Sequence, residues 1–286
     1  MVPLSGLEHD TFDMILDEGQ LLPYSNSDLP PGPWLVFAPH PDDETFGMGG
    51  SLLLASRQGI ATHVVFVTDG ALGGEGNREA LVKERMKEAT LATAELHVDE
   101  IYFFGESDRG LAFTDQLLKK TEELLRRVRP RSIFIPTPME YHPDHRVTAE
   151  LGWQAAGRIS DFPIDVYSYE ISTLAPINVL IDVSEVADKK YEVVKMYASQ
   201  LTQAKYLALV QAVDTARTFS LPIDRLAAEG FYHFTDRDAT LQEQLQRCVK
   251  GFFVGVDSGE LEGFRAEGNG ENGRSGKNGE LSLIHI

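Results

Sequence analysis

Two short motifs of similar composition each follow an apolar run. They read His40-Pro41-Asp42-Asp43-Glu44 and His142-Pro143-Asp144-His145, after the runs at 34–38 and 133–135. Imidazole and carboxylate groups bind divalent metal ions and exchange protons near neutral pH. The two motifs are therefore the first candidates for chemistry in this chain.

The spacing within each motif predicts which side chains meet. A Pro at the first helical position is typical of a helix start, so each His is expected near an N-cap. Residues three apart on a first turn share a face, which pairs His40 with Asp43 and His142 with His145. Asp42 is then left as a spare carboxylate.

One such motif alone has an ordinary explanation, because Pro and acidic residues at a helix start complement the helix dipole. The presence of two such motifs, each after a predicted strand, favours a functional role for them. In an open parallel sheet both motifs would open into the crevice at the carboxyl ends of the strands, where ligands bind. We therefore expect one metal site built from both motifs.

The motifs resemble those of the PIG-L/LmbE-like family of zinc-dependent N-acetylglucosaminyl deacetylases, His-Pro-Asp-Asp and His-x-Asp-His. The resemblance covers residues 33 to 235, with weaker matches at Arg85-x-x-Glu88, around Asp108, at Tyr169-Glu170 and at Ser199-Gln200. It implies that Zn²⁺ is bound by His40, Asp43 and His145. It also implies that Asp42 is the general base and that His142 stabilises the oxyanion.

These implied roles agree with what amide hydrolysis requires. Two neutral imidazoles and one carboxylate leave a zinc ion positively charged, with one position open for water. Asp42 could take a proton from that water and return it to the departing amine. His142, held by Asp144 or another acid, could supply positive charge to the oxyanion. The implied substrate is an N-acetylglucosamine-containing glycoconjugate or small glycoside.

Arg85 and Asp108 are candidate substrate-binding residues. Arg85 lies in a charged predicted helix, where pairing with Glu84 or Glu88 on a solvated face fits the sequence about equally well. Asp108 lies in a predicted loop, where a carboxylate can bind sugar hydroxyls or simply stabilise a turn. The resemblance slightly favours substrate binding for Arg85.

Two other functions fit part of the pattern. His40-x-Asp42 with a distant His satisfies the 2-His-1-carboxylate triad of non-haem Fe(II) oxygenases. Such oxygenases are commonly β-barrels, and the triad leaves Asp43 and His142 without a role. A non-catalytic protein that binds a sugar or a metal also carries such a site.

Composition narrows the possible partners. A net charge of −18 argues against nonspecific nucleic-acid binding, which needs a basic surface. The single cysteine, Cys248, excludes an intramolecular disulfide and fits a reducing compartment. No apolar run is long enough to span a membrane, and residues 1–32 contain no Lys or Arg and so do not look like a secretory signal. We expect a cytoplasmic protein, and the resemblance allows a homo-oligomer.

Strands and helices alternate along the chain, which predicts an α/β fold: a Rossmann-like, mostly parallel open sheet with helices on both faces. Strands are expected near 34–38, 62–67, 100–104, 132–136 and 165–171, with helices near 44–57, 78–95, 115–128 and 145–158. Further helices are expected at 184–197 and 202–216, and a last strand at 231–234.

Three segments are expected. Residues 1–32 form an acidic extension, residues 33–256 one deacetylase-like domain, and residues 257–286 a Gly-rich disordered tail. The last six residues, 281–286, resemble translated adaptor DNA from library preparation, so we do not count His285 as a ligand.

Overall fold

The computed structural model describes residues 24–74 and 77–251. Its strands are β1 (Ser25–Asn26), β2 (Trp34–Ala38), β3 (Thr62–Thr68), β4 (Glu100–Glu106), β5 (Ser132–Pro136), β6 (Asp165–Tyr169), β7 (Val179–Asp182) and β8 (Ala228–Phe234). Its helices are α1 (Asp43–Arg57), α2 (Arg78–Glu95), α3 (Asp115–Val128), α4 (Pro143–Gly157), α5 (Ala187–Val194), α6 (Ala198–Leu201), α7 (Tyr206–Ala216) and α8 (Leu241–Gly251).

The eight strands form one sheet in the order β1-β7-β8-β6-β5-β2-β3-β4. β8 runs antiparallel to both of its neighbours, and the other neighbouring pairs are parallel. The chain moves outward from β2 through β3 to β4, then returns to β5 on the other side of β2. The gap between β2 and β5 is therefore the point where the strand order reverses, which is where ligands bind in open α/β sheets.

Both faces of the sheet are covered, which confirms the predicted architecture. Along β2, Trp34, Val36 and Ala38 pack into one core with α1, α2 and α5, whereas Leu35 and Phe37 pack into a second core with α3 and α4. All five residues of β2 are buried. This explains why β2 is a continuous apolar run instead of an alternating one.

Helix α1 is broken near its middle, where Met48 has non-helical dihedral angles (φ −149°, ψ 25°). A Cβ on Gly47 would lie 2.4 Å from the carbonyl oxygen of Glu170, so glycine at this position allows α1 to pack closely against the end of β6. Beyond the break, the buried Glu229 carboxylate accepts hydrogen bonds from the backbone N–H groups of Gly50 and Ser51, each at 2.7 Å.

The sequence missed the short strands β1 and β7 and the last helix, α8. Two- and four-residue strands carry almost no periodicity, so pairing with a neighbour decides them. β1 lies within the expected N-terminal extension and pairs with β7. The single helix expected at 184–197 is a short 3₁₀ turn followed by α5, and the helix expected from 202 begins at Tyr206.

The other predictions for the chain ends, at residues 1–23 and 252–286, lie outside the described residues. Within the described part, no helix is both long and apolar enough to cross a membrane.

Candidate functional site

Both motifs lie at the carboxyl ends of neighbouring parallel strands. The first lies between β2 and α1, and the second between β5 and α4. His40, Asp43 and His145 are buried, and the His142 side chain is 32% exposed. The structure thus brings the two motifs into one cleft, as the sequence predicts.

The two helices begin differently. His142 is the N-cap of α4, and Pro143 is its first residue, as expected. In the first motif this expectation is wrong, because α1 begins only at Asp43, with Asp42 as the N-cap at φ 148° and ψ −29°. A turn in which the Asp43 N–H donates to the His40 carbonyl (3.3 Å) still brings the two side chains together.

Three possible ligand atoms form a nearly equilateral triangle. His40 Nδ1 lies 3.2 Å from Asp43 Oδ2 and 3.3 Å from His145 Nε2, and the last two atoms are 3.3 Å apart. Atoms bound at about 2.0–2.1 Å to a tetrahedral zinc ion lie about 3.3–3.4 Å from one another. These three side chains therefore fit a metal ion without rearrangement.

The other nitrogen of His40 faces two carboxylates. His40 Nε2 lies 3.3 Å from Asp144 Oδ2 and 3.4 Å from Asp108 Oδ1. Backbone N–H groups fix both acids: Arg109 donates to Asp144 at 2.7 Å, and Leu72 donates to Asp108 at 2.8 Å. The side chains of His40, Asp108, His142 and Asp144 form a second group with ligand atoms within 4.8 Å of one another.

Burial and the neighbouring charges move the pKa values of adjacent acids in opposite directions. Burial raises the pKa of Asp42 well above its usual value, although the Arg85 charge opposes the shift. Burial acts likewise on Asp43, but the charge of His145 and the hydrogen bond from His40 lower its pKa to about 2. Two neighbouring carboxyl groups with such different pKa values suit different roles, one as a ligand and one as a base.

Arg85 is buried, which excludes the solvated-face interpretation. Its guanidinium donates to Asp42 Oδ2 (3.0 Å), to the Pro41 carbonyl (3.0 Å) and to the Gly70 carbonyl (2.9 Å). Glu88, the alternative partner, instead accepts hydrogen bonds from the backbone N–H (2.9 Å) and the hydroxyl (2.5 Å) of Ser199. Arg85 therefore holds the first motif in place.

His142 lines the cleft, and one hydrogen bond indicates which of its ring nitrogens carries the proton. Its Nδ1 accepts a hydrogen bond from the Asp144 backbone N–H at 3.2 Å, so the ring proton lies on Nε2. The Asp144 carboxylate is 3.9 Å from Nδ1, beyond hydrogen-bonding range. Burial, together with the charges of His40 and His145, lowers the pKa of His142.

The cleft also has an apolar side that the sequence did not assign to the site. Its lining includes Phe46, Ile171, Tyr206 and Leu209. Glu140 is fully buried and accepts hydrogen bonds from the backbone N–H groups of residues 171–173, which shape this side. Apart from Phe46, these lining residues lie far from both motifs along the chain, so local patterns gave no signal for them.

A family model described as PIG-L, GlcNAc-PI de-N-acetylase, matches residues 35–156. This range begins in β2 and ends near the end of α4, so it contains both motifs. The match therefore covers the part of the chain that forms the floor of the cleft, with His40, Asp43 and His145.

Similar proteins include deacetylases and a hydratase. The chain is 28% identical to the diacetylchitobiose deacetylase of Thermococcus kodakarensis, over 59% of this chain and 70% of that protein. It is 27% identical to the 4-oxalmesaconate hydratase of Pseudomonas putida, over 72% of this chain and 90% of that protein. The N,N'-diacetylchitobiose deacetylase of Pyrococcus horikoshii shares the fold, with a TM-score of 0.64 at 24% identity over 70% of this chain and 83% of that one. The family model thus matches residues 35–156 of the chain, the part that contains both motifs.

Proposed function

We propose that the protein is a zinc-dependent hydrolase that removes the acetyl group from an N-acetylglucosamine unit of a glycoconjugate or small glycoside. The observation that carries this proposal is the triangle of His40, Asp43 and His145 ligand atoms with a fourth group, Asp42, beside it. The substrate class is supported by the match to a de-N-acetylase family model and by similarity to a diacetylchitobiose deacetylase.

His40, Asp43 and His145 would hold the zinc ion. Imidazole nitrogen and carboxylate oxygen are typical zinc ligands, and three protein ligands leave a position open for chemistry. When bound, zinc supplies Lewis acidity that polarises an amide carbonyl and makes a water molecule a better nucleophile.

Asp144 and Asp108 are proposed to orient His40. Both carboxylates lie within 3.4 Å of Nε2, so a proton there is shared with them and the Nδ1 lone pair faces Asp43 and His145. Histidine ligands commonly donate their second N–H to a carboxylate in this way. This assigns Asp144 to His40 instead of to His142, the residue it was predicted to support.

Asp42 is proposed to be the general base. It accepts a proton from the attacking water as the C–O bond forms, and it returns that proton to the amine nitrogen as the C–N bond breaks. Arg85 keeps the carboxylate fixed at 3.0 Å while burial raises its pKa toward the range that suits a base.

His142 is proposed to stabilise the oxyanion. The hydrogen bond that fixes the ring uses Nδ1. The Nε2–H group can therefore donate to the oxygen on which negative charge develops. As a neutral donor it acts by hydrogen bonding and does not need a full positive charge.

Asp108 and Arg85 line the cleft and are proposed to contribute to substrate binding. Asp108 accepts one backbone hydrogen bond at Oδ2. Because a carboxylate can accept about four hydrogen bonds, Asp108 retains capacity for a sugar hydroxyl. Three N–H groups of Arg85 are already used, so its proposed contribution is chiefly to keep Asp42 in place.

The proposal is tested by incubating zinc-loaded protein with N-acetylglucosamine and diacetylchitobiose and measuring free amine and acetate. Equal amounts of both products are expected, and Asp42→Asn protein with the same zinc content serves as the control. If no N-acetylated sugar yields amine while the protein holds zinc, the proposal is wrong.

A second candidate function is that of a hydratase. It is favoured by the alignment of the hydratase relative with 72% of this chain. Addition of water to a C=C bond needs the same activated water but no leaving amine. Loss of ultraviolet absorbance from an unsaturated dicarboxylate, without amine release, would identify this activity. The oxygenase alternative is not proposed, because the protein has an α/β fold with an open, mostly parallel sheet, whereas such oxygenases are commonly β-barrels.

A further inference from the structure

The backbone of Asp42 has φ 148° and ψ −29°, dihedral angles that residues other than glycine rarely adopt. Such a conformation costs free energy and persists only where the surroundings hold it, often at functional sites. Rotation of the Pro41–Asp42 peptide plane would return φ to ordinary negative values. Some contact must therefore prevent that rotation.

Both ends of this peptide group are held. Its carbonyl oxygen, on Pro41, accepts a hydrogen bond from Arg85 at 3.0 Å. Its N–H, on Asp42, donates to Glu44 Oε2 at 3.2 Å. A flip of the peptide plane would break both bonds at once and would leave buried groups without partners, which is costly.

Glu44 is itself held firmly. It is fully buried, and its Oε1 accepts hydrogen bonds from the Thr45 hydroxyl (2.7 Å) and from the Tyr197 hydroxyl. The two hydroxyls are 3.2 Å apart, so the three side chains form a closed network. Glu44 is not among the residues that line the cleft, so it has no direct route to a substrate.

We infer that Glu44 is a positioning residue for Asp42: with Arg85 it clamps the Pro41–Asp42 peptide and so aims the Asp42 carboxylate into the cleft. Arg85 holds the carbonyl and the carboxylate, whereas Glu44 holds the N–H. Tyr197 and Thr45 fix the Glu44 carboxylate in turn. This role rests on the proposed function of Asp42 as the base.

The principal variant is Glu44→Met, which removes the acceptor and keeps the volume of the side chain. Misplacement of a reacting group by about 1 Å can cost on the order of 100-fold in rate, so turnover per bound zinc is expected to fall by about 10- to 100-fold. KM and zinc content should stay within about twofold, because the ligand triangle and the cleft lining do not include Glu44.

Two further variants separate positioning from simple loss of stability. Glu44→Gln can still present an oxygen to the Asp42 N–H and should recover most of the turnover. Glu229→Gln is the matched control, because Glu229 is another buried acid that accepts N–H groups of α1, at Gly50 and Ser51. Its melting temperature should fall, but its turnover per bound zinc should match that of the unmodified protein.

Unchanged turnover per bound zinc in Glu44→Met would overturn the inference. If that variant fails to fold, Tyr197→Phe removes one support of Glu44 and should lower turnover by a smaller factor. If the unmodified protein releases no acetate, the proposed function fails, and the clamp is then tested by crystallography of Glu44→Met. A negative φ at Asp42 supports the clamp, and retention of a φ near 148° refutes it.

Discussion

The two His-Pro-Asp segments follow neighbouring strands and have nearly the same sequence, yet their surroundings differ. In the first, His40, Asp42, Asp43 and Glu44 are all buried. In the second, Tyr141 is 79% exposed and His142 is half-buried, although Asp144 and His145 are buried. The backbone differs as well, with φ 148° at Asp42 against −69° at His142.

The difference follows from where each helix begins. Pro143 is the first residue of α4, so the second segment is an ordinary helix start whose N-cap, His142, keeps its ring at the edge of the cleft. Pro41 lies two residues before α1, so an extra turn carries Asp42 and Asp43. One sequence pattern thus yields a rigid, strained segment that positions two carboxylates and a relaxed segment that presents two imidazoles.

The largest expected effect separates the two histidines of the second segment. His145→Ala should lose bound zinc and activity, because His145 Nε2 completes the triangle with His40 and Asp43. Its thermal stability should fall as well, because the metal binds only the folded protein. His142→Ala should keep its zinc and lose turnover by about 100- to 1,000-fold, as for a lost oxyanion-hole donor. Metal analysis and melting curves of both proteins measure this contrast. Full zinc occupancy in His145→Ala would show that the ligand triangle is wrong.

The second prediction concerns the spare carboxylate of the first segment. Asp42→Asn keeps the size of the side chain, so the protein should fold and hold zinc while turnover falls by about 100- to 10,000-fold, the range for a positioned acid or base. Zinc content and turnover are measured on the same sample. Loss of zinc together with activity would instead make Asp42 a ligand.

The fold was largely predictable because its central strands are long apolar runs separated by helical patterns. β2, β3 and β5 and the helices after them match the predicted ranges to within two residues. The meeting of the two motifs in one cleft was also predictable, since the carboxyl ends of adjacent parallel strands lie at the same edge of the sheet. The pairing of His40 with Asp43 follows from a spacing of three residues and is confirmed at 3.2 Å.

Other features depend on contacts that a sequence does not display. The helix-start pattern placed His40 at an N-cap, but the tertiary clamp on the Pro41–Asp42 peptide outweighs local preference there. For Arg85 the sequence left a solvated face and substrate binding open, because its helix is charged and its buried partners lie in two distant loops. Glu140 carries no local signal in the sequence, since the segment that it binds is some thirty residues away.

The third prediction tests the support of the second segment. Glu140 Oε1 accepts hydrogen bonds from the three backbone N–H groups of residues 171–173 while the residue is fully buried. Glu140→Met removes this acceptor and leaves the N–H groups unpaired, so it should lower the free energy of unfolding by about 1–3 kcal/mol. KM should rise, because Ile171 and Ser172 line the cleft. Denaturant unfolding and steady-state kinetics measure the two effects. Glu150→Met, at a partly exposed position in α4 and outside the cleft lining, is the control and should change neither quantity.

The smallest effect is expected at a histidine outside both segments. His63 lies in β3, paired with Leu35 near the amino end of β2 and so far from the cleft. Burial lowers its pKa below the usual 6.5, so the folded state favours the neutral ring. Its contribution to stability is therefore fully present above pH 6.5 and is lost as the pH falls below that value. His63→Gln should remove this loss, which would appear as a slightly smaller drop in melting temperature between pH 7.5 and pH 5.5, with zinc content and turnover unchanged. A change in zinc content or turnover would show that the chemistry extends beyond the two segments.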